Sequence, residues 1–216
     1  RALKPSEAGV VRFDQNGELS SISGIPRNKT RAFAGKEIVS LDFETYYEKD
    51  VYSANTMPFS EYLANPKTYQ VFMLAVTDAQ GSRVLEGEAA IAEYINELRG
   101  RGDEVVVTAY NAQFDFGILK EKFGYEPPIG IDAMALYKGL KARNSPAETE
   151  AIKESKKSPF SLHWATRNIL SRKYAHLHKK DEGALENLSG KTLDDLTQEQ
   201  RALLDAYAET DAAGTA

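Results

Sequence analysis

Asp42 and Glu44 stand two residues apart where the apolar run Ile38-Val39-Ser40-Leu41-Asp42-Phe43 comes to its end. A short run of this kind, rich in β-type residues, reads as a central strand. Side chains two apart on a strand point to one face, so these two carboxylates can converge on one cation. Left unbalanced they repel each other, and oxygen ligands favour Mg²⁺ or Mn²⁺. A strand tip that has run out into solvent with acidic residues on it explains the same pair.

Two further pairs are spaced by four. Asn111-Ala112-Gln113-Phe114-Asp115 directly follows a second apolar strand. On a helix that spacing puts both ends on one face. Asn111 and Asp115 are therefore expected to look toward the strand ends, where α/β sites are generally built. Asn111 as an N-cap and Asp115 as a charge on the helix dipole account for their positions equally well. Tyr207-Ala208-Glu209-Thr210-Asp211 repeats the spacing near the C-terminus, with a phenol and a carboxylate on one face. The alternative there is an amphipathic helix with Leu203, Leu204 and Tyr207 in the core and Asp211 at its solvated end.

The elements that must carry these residues follow from the pattern. The first 35 residues are polar, with one possible hairpin: Val10 to Phe13, a turn at Asn16-Gly17, then Leu19 to Ile22. They form an N-terminal extension to a domain spanning 36–216. After the first central strand comes a looser stretch broken by Pro58 and Pro66. Strands are predicted at Val71 to Thr77 and Arg83 to Leu85, turning at Ala79-Gln80-Gly81. Ile91, Tyr94, Ile95 and Leu98 carry helical spacing over Glu88 to Leu98, with Gly100 and Gly102 ending it. A strand is predicted at Glu104 to Ala109. The helix begun by Asn111 closes at Gly124, an edge strand follows at Ile129 to Ile131, and a helix runs from Ala133 to about Ala142. Residues 143–158 read as loop. Ser161 can cap a helix to Leu170, and Thr197 with Gln200 forms a capping box for the last helix. Strand, hairpin, helix, strand, helix is the order of an α/β domain with a mixed central sheet.

The three motifs, in this order and at these separations, resemble the DEDD exonuclease superfamily, and the tyrosine places the likeness in its DEDDy branch. Leu41-Asp42-Phe43-Glu44-Thr45-Tyr46-Tyr47, Phe59-Ser60-Glu61-Tyr62-Leu63, Asn65-Pro66, Ser161-Leu162 and the 204–215 segment look like the proofreading domain of bacteriophage-type family A DNA polymerases. The resemblance covers about residues 36–216. It implies a ribonuclease H-like sheet flanked by helices. It also implies hydrolysis of the terminal phosphodiester at a DNA 3′ end, releasing nucleoside monophosphates. Asp42, Glu44, Asp115 and Asp211 would then hold two divalent ions, Mg²⁺ or Mn²⁺, about 4 Å apart, with Asp42 bridging. Tyr207 would orient the attacking water, and Asn111 would hold the penultimate nucleotide or scissile phosphate. Thr45 would meet the terminal nucleotide through backbone or hydroxyl. Phe43, Phe114 and Tyr46 are candidates to stack on an unpaired base, although Phe43 and Phe114 are more often simply core. Partners implied are a single-stranded 3′ end and a polymerase portion beyond the last residue.

Composition bounds these expectations. A net charge of −5 argues against a protein that simply coats nucleic acid. Basic residues cluster from Lys153 to Lys180, a stretch that can guide a strand or merely face solvent. Zero cysteines exclude disulfides and thiolate metal sites. His163, His176 and His178 do not fit the tyrosine branch as catalytic bases, and His163 beside Trp164 reads as structural. No apolar run is long enough to span a membrane and no leader precedes the domain, so a cytoplasmic protein is expected. Rival readings are an exoribonuclease or a free-standing exonuclease of the same superfamily, and a non-catalytic nucleic-acid-binding scaffold.

Overall fold

The computed structural model describes residues 10–13, 19–23, 35–66, 70–141, 161–162, 165–166 and 188–216. Its contacts divide the chain into two units, Arg1–Lys36 and Glu37–Ala216. The first holds an antiparallel pair, β1 (Val10–Phe13) and β2 (Leu19–Ser23). The second is built on a five-stranded mixed sheet. Its strands are β3 (Glu37–Thr45), β4 (Val71–Asp78), β5 (Gly81–Glu86), β6 (Val105–Ala109) and β7 (Gly130–Asp132). Their spatial order is β5-β4-β3-β6-β7; β3, β4 and β5 are antiparallel, while β6 and β7 run parallel to β3.

Helices cover both faces, which is why β4 reads as a continuous apolar run, buried from Val71 to Val76. On one face, α2 (Glu88–Arg101) and α3 (Gln113–Phe123) pack Ile91, Tyr94, Ile95, Leu98, Ile118 and Leu119 against Val39, Leu41, Phe43 and Val107. On the other, α5 (Gln198–Thr215) lays Leu204, Ala208 and Ala212 over Met73 and Ala75. The alanines, one turn apart, let this helix sit close to the sheet. A short α1 (Phe59–Ala64) buries Tyr62 in the same cluster, and α4 (Ala133–Lys141) follows β7.

Where expectation and structure differ, the reasons are local. Pro58 does not break the chain into loop but stands as the N-cap of α1, and Pro66 lies just past its end. Gly100 does not stop α2, which runs on to Arg101; Gly102, at φ 56°, takes the conformation that ends it. The helix after β6 starts at Gln113 with Ala112 as its N-cap, so Asn111 is neither the cap nor on a helical face with Asp115. Asn111 instead adopts φ 62°, a left-handed conformation that asparagine tolerates well, and its carbonyl accepts the Phe114 N–H. The helix expected from Ser161 to Leu170 falls largely outside the described residues.

The capping box at α5 is formed in both directions: Gln200 N–H donates to Thr197 Oγ1 at 3.2 Å and Thr197 N–H to Gln200 Oε1 at 3.1 Å. Thr197→Ala should cost about 1 kcal/mol and lower the thermal midpoint by roughly 2–4 °C. Calorimetry of the two proteins checks this, and an unchanged midpoint would mean that the cap does not hold the helix.

Candidate active site

The sheet ends in a step, and the chemistry gathers there. The parallel ladder between β3 and β6 runs only from Glu37 to Ser40, while β3 continues to Thr45 along β4. A buried amide on that projecting edge needs an acceptor from elsewhere. Asp115, in the first turn of α3, supplies it: Phe43 N–H donates to Asp115 Oδ1 at 3.0 Å. Asp115 is 2% exposed. Burial pushes its carboxyl up to about 7, opposed by the N–H groups of Phe43 and of Asp115 itself and reinforced by the charge of Asp132.

Asp42 and Glu44 are half-buried between the inward-facing Leu41, Phe43 and Thr45. Strand alternation puts them on the face that α5 covers. The buried stripe of α5 is Leu204, Ala208 and Ala212, and Leu203 is exposed, so Tyr207 and Asp211 lie along the flank of the stripe rather than in the core. The Tyr207 phenol hydrogen-bonds the Asp211 carboxylate. Burial holds that phenol well above its ordinary range, and the charges of Asp211, Glu44 and Asp42 add to the effect. One phenol thus lies within electrostatic reach of three of the four carboxylates, and the fourth is bonded to the backbone between Asp42 and Glu44.

Among the described residues no three Asp, Glu or His side chains are gathered closely enough to enclose an ion. Asp115 is turned to the Phe43 amide and Asp211 to the Tyr207 phenol. The donor set nevertheless suits a hard divalent cation, being carboxylate oxygen throughout. Asp115 in particular is a buried carboxyl met by backbone N–H groups and facing another acid, a situation that a cation relieves.

The remaining predicted residues divide. Thr45 is buried, and its hydroxyl lies 2.7 Å from the Tyr62 hydroxyl. Phe114 is half-buried, with its ring centroid 5.8 Å from Phe59 and 6.1 Å from Tyr62. Asn111 is exposed at the turn after β6. Phe43 and Tyr46 are closed off as stacking platforms: Phe43 is in the core against Phe123, and Tyr46 is buried between Tyr52 and Phe72. The basic residues from Lys153 to Lys180, and His163, Trp164, His176 and His178, lie outside the described residues.

Sequence reasoning passed over Asp132 and Tyr62. Asp132 ends β7 opposite Ala109, caps α4 by accepting the Ala135 N–H at 3.1 Å, and reaches Asp115 with its charge. Its signal, an acid at the end of a short strand, is the one that marked Asp42. Tyr62 entered only as part of the Phe59 to Leu63 resemblance, with no role of its own.

The fold matches RNase D from Trypanosoma brucei, seen as its GMP complex, with a TM-score of 0.54 and 11% identity. The match covers 87% of this chain and 51% of that one, so the chain spans about half the length of that relative. The catalytic core of RRP6 from the same organism, as a C496S mutant, matches at a TM-score of 0.45 and 14% identity, over 86% of this chain and 40% of that one. No family model and no curated protein matches the sequence. The mixed sheet flanked by helices is a ribonuclease H-like fold, shared with that RNase D. Among the described residues no helix is long and apolar enough to cross a membrane.

The raised carboxyl of Asp115 gives stability a pH dependence of known sign. The folded chain binds this proton more tightly than the unfolded one, so the contribution is fully present below about pH 4 and is lost as pH rises through about 7. In EDTA, wild type should therefore lose stability relative to Asp115→Asn across that window, by an amount on the order of a few kcal/mol. The substituted side chain would keep a carbonyl oxygen for the Phe43 amide. Parallel urea titrations from acid to neutral pH measure the difference, and a constant difference would show that Asp115 is not perturbed.

Proposed function

We propose that the domain is a metal-dependent 3′–5′ exonuclease acting on single-stranded nucleic acid and releasing nucleoside monophosphates. The observation that carries this reading is that Asp115 of α3 bonds the amide between Asp42 and Glu44 of β3, while the Tyr207 phenol of α5 lies within reach of the charges of Asp42, Glu44 and Asp211. The sequence resemblance implies the same residues.

A phosphodiester resists hydrolysis because water must approach an anion and an alkoxide must leave. Two divalent ions held by Asp42, Glu44, Asp115 and Asp211 would supply both an acidified water and stabilisation of the leaving oxygen. The chain's own part is orientation. Asp42 and Glu44 are fixed two apart on a rigid strand, and Asp115 is anchored to the amide between them. Burial holds the Tyr207 phenol above its ordinary range and so favours its protonated form, which suits it to donate a hydrogen bond that aligns the attacking water rather than to act as a base. That role requires the phenol to turn from Asp211. Half-buried Phe114 and Phe59 offer aromatic surface for an unpaired base. Asn111, exposed at the adjoining turn, is placed to hold a phosphate or the penultimate nucleotide.

The sugar is the finer question. The motifs resemble a DNA-proofreading domain of a phage-type polymerase, which favours DNA. The fold comparison is with an RNase, which favours an exoribonuclease and is the better supported of the two contexts. A scaffold that has lost its chemistry is disfavoured because all four carboxylates and the tyrosine are retained.

Digestion of 5′-labelled single-stranded DNA and RNA, mixed in competition with Mg²⁺, tests both levels. A ladder shortening from the 3′ end, absent in EDTA, is expected. Asp42→Ala should lower the rate by about 10³-fold or more, the equivalent of several kcal/mol of transition-state stabilisation. Tyr207→Phe should cost less, about 10–100-fold. Preference for the RNA ladder would favour the exoribonuclease and preference for DNA the proofreading domain. Activity that survives Asp42→Ala would refute the site.

A further inference from the structure

Glu44 is followed at once by a fault in the ladder. The pairing runs Asp42 with Ala75, Phe43 with Leu74 and Glu44 with Met73, then skips Phe72 so that Thr45 faces Val71. A bulge of this kind bends its strand and re-aims the neighbouring side chains. It places both Phe72 and Met73 in the cluster beneath α5. Pairing resumes at Thr45, and the Tyr46 N–H donates to the Gln70 carbonyl at 3.1 Å, so the irregularity is confined to the step between Glu44 and Thr45.

A phenol from α1 adds a side-chain anchor just past the fault. Tyr62 of α1 is 2% exposed, and its hydroxyl donates to the Tyr46 carbonyl at 2.8 Å while lying 2.7 Å from Thr45 Oγ1. A phenol has one proton. With that proton on the Tyr46 carbonyl, the Thr45 hydroxyl must be the donor in the second bond. Thr45 is thereby left with lone pairs alone to offer elsewhere. Tyr62 is itself fixed: its ring stacks on Tyr52 at 4.8 Å, and the Tyr52 hydroxyl donates to the Tyr62 carbonyl at 2.8 Å.

We infer that Tyr62 is a positioning residue for the site, its hydroxyl anchoring Thr45 and Tyr46, the chain just after the bulge, to α1 and so setting where β3 presents the Glu44 carboxylate. This rests on the exonuclease reading above and deepens it, since it assigns the rigidity of one carboxylate to a buried hydrogen bond on a different element. Tyr62 is too buried to touch substrate and acts only through β3.

The test compares Tyr62→Phe with Tyr52→Phe, each of which removes one buried hydroxyl from the same stack. Only the first cuts the link to β3. Two readouts are taken: Mn²⁺ binding by electron paramagnetic resonance without nucleic acid, and kcat and KM on a labelled single-stranded oligonucleotide with Mg²⁺. Tyr62→Phe should weaken Mn²⁺ binding about tenfold and lower kcat while KM stays near wild type. Tyr52→Phe should leave both readouts near wild type even if its thermal midpoint falls by a similar amount. Thr45→Val cuts the same link from the other side, should reproduce the Mn²⁺ defect, and serves in its place if Tyr62→Phe does not fold. Equal defects in the Tyr62 and Tyr52 variants, or wild-type Mn²⁺ affinity in Tyr62→Phe, would overturn the inference while leaving the exonuclease reading intact. A folded wild type that neither binds Mn²⁺ nor shortens the oligonucleotide would overturn the exonuclease reading, and this inference with it.

Discussion

Past Ser40 the β6 edge of β3 has no strand to pair with, and the amide of Phe43 bonds to a carboxylate instead. The rest of the site depends on that substitution. Had β6 run on beside β3, the amide would be satisfied by a carbonyl and there would be no room for α3 to begin where it does. Because β6 stops at Ala109, the chain turns through the left-handed Asn111 and starts α3 two residues later, with Asp115 in its first turn. A sheet edge left short is usually a liability to be covered. Here the covering group is an acid.

The acid is poorly solvated, and that gives the place its character. A buried carboxyl beside Asp132, with Asp42 and Glu44 flanking the amide it holds, is a concentration of negative charge that the protein cannot neutralise by packing. Across the sheet, α5 approaches closely because it offers alanine at Ala208 and Ala212. Its flank then brings a phenol and a fourth acid into the same field. Elements from both faces thus meet at the end of one strand. The carboxyl of Asp115 is strongly perturbed there by burial, as groups at functional sites commonly are.

Much of this was legible in the residues. The five strands of the main sheet and the helices at Glu88, Gly124 and Thr197 follow from apolar spacing, capping residues and turn glycines, all of which act locally. Asp42 with Glu44, and Tyr207 with Asp211, share a face because spacings of two and four have a fixed geometric meaning on strands and helices. The failures are of another kind. Asn111 has the composition of an N-cap, but the turn needed a residue tolerant of positive φ and placed the cap one position later. Helix α1 begins behind Pro58, where a breaker served as a start. The partners of Thr45, Tyr62 and Asp115 are contacts between elements distant in sequence, set by how far β6 runs beside β3 and by a bulge at Phe72. No local pattern encodes either.

Crystals of the domain grown with Mn²⁺ and a single-stranded oligonucleotide that resists hydrolysis, measured at a wavelength where manganese scatters anomalously, would locate the ions and the 3′ end together. Anomalous peaks are expected among Asp42, Glu44, Asp115 and Asp211, with Asp115 drawn toward the ion and the Tyr207 phenol turned from Asp211 toward a water. Manganese bound elsewhere on the surface, with those four carboxylates bare and the 3′ end lying away from them, would contradict the assignment of this strand end as the catalytic site.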